Sequence, residues 1–121
     1  MRFNELKGLD GIDKLDECVP YVDEIFSDKE LFENVKDLTW MQIAKIIYKA
    51  HTDSINAIME ILDEKPETAV DIIRVTAEII TDIFMDEGTR NFFISFCKNV
   101  KFTLSAMVNI VDGQSEASST T

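Results

Sequence analysis

The sequence has few of the residues that most often carry chemistry or cross-links, with one histidine, His51, and two cysteines, Cys18 and Cys97. The two cysteines lie far apart in apolar surroundings, which does not resemble a disulfide framework, so we expect two buried thiols in a reducing compartment. Neither has a histidine close to it in the sequence, as a nucleophile with its base would. We expect the histidine to cap a helix end or to lie on the surface.

Long apolar runs and catalytic motifs are also missing. No stretch of about 18 uncharged apolar residues occurs, and the amino terminus lacks the apolar core of a signal peptide, so we expect a cytoplasmic protein. The sequence contains no glycine-rich phosphate loop, Ser/His/Asp set, zinc spacing, Glu-x-x-His pair or calcium-loop pattern. We therefore expect no enzyme, no metal site, no cofactor and no small-molecule substrate.

Basic residues are scarce and unevenly placed. The chain carries 23 acidic and 12 basic residues, a net charge of −11, which argues against nucleic acid and anionic membranes as partners because phosphates would be repelled. Residues 1–88 hold 21 acids and 9 bases, whereas residues 89–111 hold Arg90, Lys98 and Lys101 and no acid. This basic helix either docks on acidic neighbours within the protein or offers a surface to an acidic partner.

What the chain has in abundance is helical periodicity. It is long enough, at 121 residues of which 45% are hydrophobic, to bury one core without cross-links. The strongest pattern, over residues 66–84, predicts a long central helix with one apolar and one acidic face. Its predicted inner residues are Ala69, Val70, Ile72, Ile73, Ala77, Ile79, Ile80, Ile83 and Phe84; its predicted wet residues are Glu67, Asp71, Arg74, Glu78 and Asp82. An apolar stripe this wide predicts neighbouring helices on two flanks.

The sequence predicts an all-α protein, a small bundle of about five to six helices with a long central and a long C-terminal helix. We expect one domain over residues 1–112, with a flexible arm over residues 1–10 and a disordered tail over residues 113–121. Pro20 favours a break near Cys18 in the first helical region, with a kinked but continuous helix as the alternative.

Capping residues predict where helices begin. Thr39 and Gln42 form a capping box, which opens a helix that runs to about His51. Other predicted N-caps are Ser27 or Asp28, Thr52 or Asp53, and Thr89. The last of these would start one helix of about 23 residues that ends at Val111.

Large apolar side chains exceed what a small core obviously needs. Either all of them are core, or the distal part of the last helix, Phe102–Val111, extends past the bundle and offers a groove or knob to another chain. The candidate partner-binding residues are Trp40, Met41, Phe92, Phe93, Phe96, Leu104, Met107 and Val108.

Residues 37–96 resemble a known family. The segments DLTWMQIAKIIYKA, NAIMEILDEKPETA, IIRVTAEIITDIF and FFISF are similar to the tail assembly chaperones of long-tailed phages and prophages of Gram-positive bacteria. The similarity covers about half of the chain and lies in helix order and character. It implies an acidic helical protein, made in a short and a frameshifted longer form, that tends to self-associate. Such a protein coats the tape measure protein, recruits tail tube subunits and leaves the finished particle.

Two functional hypotheses follow. The first is a non-enzymatic phage tail assembly chaperone that acts in the host cytoplasm, binds the tape measure and tail tube proteins, and is absent from the mature virion. The alternative is an acidic decoy or inhibitor, in which the carboxylates of Glu67, Asp71, Glu78 and Asp82 imitate nucleic acid and occupy a basic site on a partner. Decoy binding should weaken steeply as the salt concentration rises.

Overall fold

The structure, a computed structural model, describes residues 1–105 and has the predicted all-helical architecture. Its elements are a 3₁₀ turn at Phe3–Glu5, α1 (Gly8–Phe26), α2 (Lys29–Glu33), α3 (Trp40–Ala50), α4 (Thr52–Ile61), α5 (Ala69–Met85) and α6 (Glu87–Phe96). The chain is helical again at residues 100–105, and no strand occurs in residues 1–105. The predicted tail over residues 113–121 lies outside the described residues.

Helix α5 is the centre of the bundle. It packs against α3 and against α6, while α1 pairs with α4, so the prediction of neighbours on two flanks is confirmed. Ile80, Ile83 and Phe84 of α5 are buried in the core. The ring of Trp40, at the start of α3, lies 5.5 Å from that of Phe84, near the end of α5, so these two helix ends lie side by side.

Aromatic rings fill one end of the bundle. Phe26, the last residue of α1, stacks on Phe32 of α2 with 5.0 Å between ring centroids. Phe84 meets Phe26 edge-on at 5.5 Å. Aromatic pairs in these geometries contribute about 0.5–1.5 kcal/mol each beyond the area that they bury. They join α1, α2 and α5, and with Trp40 also α3, into one core.

The start of α5 differs from the prediction. Pro66 was expected in the first helical turn, but the helix begins at Ala69 and its N-cap is Thr68, whose hydroxyl accepts from the Asp71 amide at 3.1 Å. The preceding helix ends with Asp63 in a left-handed conformation, at φ 58°. A threonine that can cap takes precedence over proline here because it satisfies one of the free amides of the first turn.

The two faces of α5 also differ from the prediction at several positions. Val70 is 72% exposed, and Ala69 beside it is exposed as well, although both were predicted on the inner face. Asp82, expected on the wet face, is buried and paired with Arg2. Val75 and Thr76 are buried although neither was in the predicted inner set. The Thr76 hydroxyl can be buried because it donates to the carbonyl of Ile72 in the preceding turn, at 2.7 Å.

Helix α1 is continuous through Pro20, so the favoured break near Cys18 is wrong. Proline lacks the amide that would donate to the carbonyl of Asp16. Asp16 and Pro20 are both exposed, so water can hydrate this carbonyl and the cost of the missing hydrogen bond stays small. Val22 and Ile25 on the opposite side are fully buried, and their packing holds the helix together across the proline.

The prediction of a flexible arm over residues 1–10 is wrong. Phe3 is buried and meets Phe93 edge-on at 5.1 Å, and α1 already begins at Gly8. Arg2 forms a two-point ion pair with Asp82, in which its Nε donates to Asp82 Oδ2 at 2.9 Å. Gly8 and Gly11 together indicated a loop, but Gly8 instead adopts φ +67° at the first position of the helix.

Some predicted helix starts are confirmed and others are not. In the capping box, Thr39 Oγ1 accepts from the Gln42 amide at 3.2 Å and Gln42 Oε1 accepts from the Thr39 amide at 2.8 Å. Asp28 caps α2 as predicted. Neither Thr52 nor Asp53 caps α4, because the Thr52 hydroxyl donates back to the carbonyl of Tyr48 at 2.6 Å.

The predicted single helix from Thr89 to Val111 is interrupted within the described residues. The N-cap of α6 is Asp86 rather than Thr89, and its Oδ2 accepts from both the amide and the hydroxyl of Thr89, at 3.0 and 2.6 Å. These bonds lower the pKa of the Asp86 carboxyl. The helix ends at Phe96, since Cys97 is extended. The part of the predicted helix beyond residue 105 lies outside the described residues.

Candidate functional site

The structure divides the predicted partner-binding residues by their exposure. Phe93 is fully buried against Phe3, which removes it from the candidates because a core ring is not available to another chain. Half-buried are Trp40, Phe92 and Leu104, all packed against the core. Exposed are Met41, at the start of α3, and Phe96, at the end of α6, with 45% and 61% of their surface in water. Met107 and Val108 lie outside the described residues.

Phe102 is an exposed aromatic residue that the predicted set omitted, although the range Phe102–Val111 had been considered. It is 69% exposed, more than Phe96. The helical period within residues 100–105 carries the signal, because at about 100° per residue position 102 falls about 200° from Val100, which is buried. We use the name aromatic surface for the two exposed rings of residues 87–105, Phe96 and Phe102, together with the half-buried Phe92, whose ring lies 4.8 Å from that of Phe96.

The segment that carries this surface is fixed to the bundle. Asp23 of α1 accepts from the Asn99 amide at 3.0 Å and from its side-chain nitrogen at 3.3 Å, which stabilises the interruption between α6 and residues 100–105. The Thr103 hydroxyl donates to the carbonyl of Phe26 at 2.8 Å in a buried position, and Val100 is fully buried. The exposed rings therefore stand on a backbone that is attached from the other side.

A small groove lies beside Phe102. Its volume is about 220 Å³, and it is lined by Lys29, Phe32, Glu33, Phe102 and Thr103. The floor is apolar and well packed, because Phe32 and Thr103 are buried. The ammonium of Lys29 lies 5.0 Å from the centroid of the Phe102 ring, within the range of a cation–π interaction.

The basic residues of this region have no acidic partner in the part of the chain that the structure describes. The ion pairs of residues 1–105 involve neither Arg90 nor Lys98 nor Lys101. Arg90 instead donates to the carbonyl of Phe84 at 3.4 Å. These three residues therefore do not support the first of the two hypotheses, that the basic helix docks on acidic neighbours within the protein through ion pairs.

The acidic row of α5 is partly used within the protein. Arg74 lies between Asp71 and Glu78, at 3.5 and 2.9 Å from their carboxylate oxygens. Asp82 has only 7% of its side chain in water and pairs with Arg2. Glu67, just before the helix, is exposed. The four carboxylates that the decoy hypothesis requires therefore do not form one free surface.

The histidine and the two cysteines of the sequence are held in structural positions. His51, at the junction of α3 and α4, places Nε2 2.7 Å from Oδ2 of Asp28, the residue that caps α2. Burial raises the pKa of both cysteine thiols to about 12, and Cys97 donates to the carbonyl of Val19 at 3.6 Å. His51 is the C-cap residue of α3, which agrees with the expected place at a helix end, and its ring also links this end to Asp28.

A second and wider groove lies between α1 and α4. It measures about 590 Å³ and is lined by Lys14, Glu17, Pro20, Tyr21, Ala57, Glu60, Ile61 and Asp63. Its walls mix apolar and charged groups without bringing a nucleophile and a base together. Residues 1–105 also contain no group of three or more histidine, cysteine or carboxylate side chains placed to hold a metal ion.

None of the helices in residues 1–105 is both long enough and apolar enough to span a bilayer. The features that stand out are therefore the aromatic surface, the groove beside Phe102 and the basic residues of α6 and residues 97–105 that form no ion pair with another described residue. No model of a known protein family, no curated protein and no solved structure matches the chain significantly.

Proposed function

We propose that the protein is a non-enzymatic assembly chaperone that binds an apolar helical segment of another protein on its aromatic surface. The observation that carries this proposal is the exposure of Phe96 and Phe102, at 61% and 69%, on a segment attached firmly to the core. Burying a phenylalanine side chain is worth about 1.5–3 kcal/mol. Two rings on an attached backbone therefore offer a partner a useful share of the free energy of binding, because only their side chains remain to be ordered.

The resemblance described above supplies the identity of the partner in this proposal. The protein would bind segments of a tape measure protein, help to recruit tail tube subunits in the host cytoplasm, and be released before the virion is complete. Its net charge of −11 would keep such a chaperone dispersed while it carries an apolar segment. Self-association belongs to the same proposal, as the resemblance implies it.

The decoy hypothesis has less support. It needs a row of free carboxylates, whereas Asp82 is buried and Arg74 already pairs with Asp71 and Glu78. The acids of residues 1–105 that lie outside α5 are spread over several helices. An apolar surface of defined position explains more of the molecule than a general excess of negative charge does.

The proposal is tested by measuring the binding of labelled helical peptides from a tape measure protein with fluorescence anisotropy. We expect micromolar dissociation constants for some of these segments and a loss of about tenfold or more on the double substitution Phe96→Ser and Phe102→Ser. The control is Val70→Ser, which removes a similarly exposed apolar side chain from the start of α5. Unchanged binding by the double variant, or no binding of any segment, would contradict the proposal.

A further inference from the structure

We infer that the wider groove between α1 and α4, which we term the α1–α4 groove, binds an amphipathic helical segment of a partner protein whose polar face is basic. The inference goes beyond the proposed function and does not depend on the aromatic surface, because the α1–α4 groove shares no lining residue with the groove beside Phe102. It is drawn from the shape of the α1–α4 groove and from the charges of the residues that line it.

The α1–α4 groove follows the axes of its two helices. On α1 its lining runs from Lys14 to Tyr21, which is two helical turns or about 10 Å. On α4 the lining residues Ala57, Glu60 and Ile61 are spaced as one helical stripe. Side chains in such rows form the ridges and grooves into which another helix packs. The groove, about 590 Å³ in volume, therefore has the form of a seat for a third helix.

The open walls of the groove favour a protein segment over a small molecule. Glu17 and Glu60 are exposed, and Tyr21 has 36% of its surface in water. A small ligand typically loses about 70–90% of its surface to its pocket, which walls that stand in water do not achieve. A helix can lay one face on such a channel and keep its other face in water. The half-buried Ala57 and Ile61 provide apolar contacts for the face that docks.

Acidic side chains predominate in the lining of the groove. Three of the lining residues are acids, whereas Lys14 is the one base among them. The carboxylates of Glu17, Glu60 and Asp63 take part in none of the ion pairs within residues 1–105. The ammonium of Lys14, by contrast, lies 3.5 Å from a carboxylate oxygen of Asp10. The groove therefore offers a partner three carboxylates that no other described residue neutralises.

The same sign of charge extends over both helices that form the walls. Helix α1 carries six acids and one base, and α4 carries two acids and no base. Two of these acids, Asp23 and Glu24, already accept hydrogen bonds within the protein. The bases just outside the two helices, Lys7, Lys49 and Lys65, are exposed and do not line the groove. Basic groups of a partner therefore meet a surface on which negative charge is in excess.

Two further groups favour a cation at this place. Pro20 lines the groove and has no amide, so the carbonyl of Asp16, which points towards position 20 in a helix, lacks its usual donor. An ammonium or guanidinium group can donate to this carbonyl. The ring of Tyr21 also attracts a cation to its face. Lysine or arginine in the bound segment gains contacts here that an acidic residue lacks.

The chain itself is a poor source of the bound segment. Residues 106–121, which lie outside the described residues, contain no lysine or arginine and so cannot supply a basic face. A second copy has basic residues within positions 89–105, but its net charge of −11 opposes its approach to an acidic surface. A basic helical segment of a different protein is therefore the occupant that the charges favour.

The experiment uses three designed helical peptides. The first has an apolar face and a lysine-rich polar face, the second has glutamate in place of these lysines, and the third keeps the lysines but has glutamine in place of the apolar face. Fluorescence anisotropy with the full-length protein at physiological salt should show the first peptide binding at least about tenfold more tightly than either of the others. Its affinity should fall as salt is added.

Neutral variants test whether the carboxylates of the groove recognise the lysine peptide. The groove variant combines Glu17→Gln, Glu60→Gln and Asp63→Asn. Asparagine suits position 63 because it tolerates the left-handed backbone found there, at φ 58°. The control variant combines Glu30→Gln, Asp37→Asn and Glu87→Gln, which changes the net charge equally at exposed acids elsewhere.

The groove variant should bind the lysine peptide about tenfold more weakly than the wild type, and the control variant should differ from the wild type by less than about threefold. Circular dichroism spectra establish that both variants are folded. Amide exchange measured with the bound lysine peptide should slow in residues 14–21 and 57–61. Equal losses in the two variants would show that the peptide responds to the overall charge, and the inference would be wrong.

The aromatic-surface variant, Phe96→Ser with Phe102→Ser, separates this inference from the proposed function. It should bind the lysine peptide as tightly as the wild type does. Loss of this binding would place the peptide on the aromatic surface and overturn the inference while leaving the proposed function intact. If the protein forms a dimer that dissociates in the groove variant, the occupant is a second copy of the chain, and the inference is overturned in favour of that copy.

Discussion

A phenylalanine is buried at one end of the described chain and exposed at the other. In the N-terminal segment, residues 1–6, Phe3 is only 3% exposed, whereas Phe102 in residues 97–105 is 69% exposed. Both segments are attached to the bundle by polar contacts, through Arg2 and Asp82 in the first case and through Asn99 and Asp23 in the second. Attachment is therefore common to both, and the orientation of the aromatic ring is what differs.

This difference shows that the exposure of Phe102 does not result from loose attachment. In the N-terminal segment the apolar ring itself fills the core, where it meets Phe93. In the C-terminal segment Val100 and Thr103 take the inward positions, which leaves the ring outside. Single exposed apolar residues are common on protein surfaces. Phe102 is distinguished from these by the groove and the lysine beside it, which give its ring a defined surrounding.

The largest difference in stability is expected between variants that truncate Phe3 and Phe102. Phe3→Ala should lower the free energy of unfolding by about 3 kcal/mol, because it leaves a cavity against Phe93. Phe102→Ala should change it by less than about 0.5 kcal/mol, since its ring is already in water. Urea unfolding followed by circular dichroism measures both.

A volume-conserving variant controls this first prediction. Phe3→Leu keeps most of the buried apolar volume and should cost less than about 1.5 kcal/mol. Equal losses for Phe3→Ala and Phe102→Ala would mean that the C-terminal ring belongs to the core, and the comparison between the two segments would no longer hold.

A smaller effect is expected from the ion pair that attaches the N-terminal segment. Arg2→Ala leaves the buried carboxylate of Asp82 without its partner and should cost about 1–3 kcal/mol. The figure lies below that for a fully buried pair, because the Arg2 side chain is half exposed and water can reach part of the site. The same unfolding experiment reports the loss.

The matched control for Arg2 is Arg74→Ala on the same helix as Asp82. Arg74 pairs with Asp71 and Glu78 on the surface of α5, where such pairs contribute about 0.5 kcal/mol or less. If the two substitutions cost the same, the Arg2 contact is an ordinary surface ion pair. The double substitution Arg2→Ala and Asp82→Asn should recover part of the loss because it removes the unpaired charge.

The fold was largely predictable because local signals and burial agree in the central helices. The capping box of Thr39 and Gln42 depends only on neighbouring residues, and the inner face of α4, Ile55, Ile58, Met59 and Leu62, follows one helical stripe. Prediction from the sequence failed where a residue far away in the chain determines whether a side chain is buried. The burial of Asp82 depends on Arg2, 80 positions away, and no local pattern reveals this pair. The packing of Phe3 against Phe93 is hidden for the same reason, because these two residues lie even further apart in the sequence.

The candidate surface was predictable only in part for the same reason. Periodicity indicated an apolar stripe on the last helix, but Phe93 faces inward because residues 1–6 cover it. The interruption after Phe96 depends on Asp23, a residue of α1 that reads from the sequence as one more solvated acid. The exposure of Phe102 could be predicted from a helical wheel. The groove beside it could not, because part of its lining comes from α2.

The smallest effect is expected from removing the hydrogen bonds that attach the C-terminal segment, residues 97–105, to α1. Asp23→Ala removes the acceptor for the Asn99 amide and should lower the free energy of unfolding by about 1 kcal/mol, since the lost hydrogen bonds outweigh the gain in helix propensity from alanine. Asp16→Ala, at an exposed position of the same helix, measures that gain alone. Amide exchange at Asn99 should accelerate in the first variant only. Unaltered exchange would mean that Val100 and Thr103 alone hold Phe102 in place.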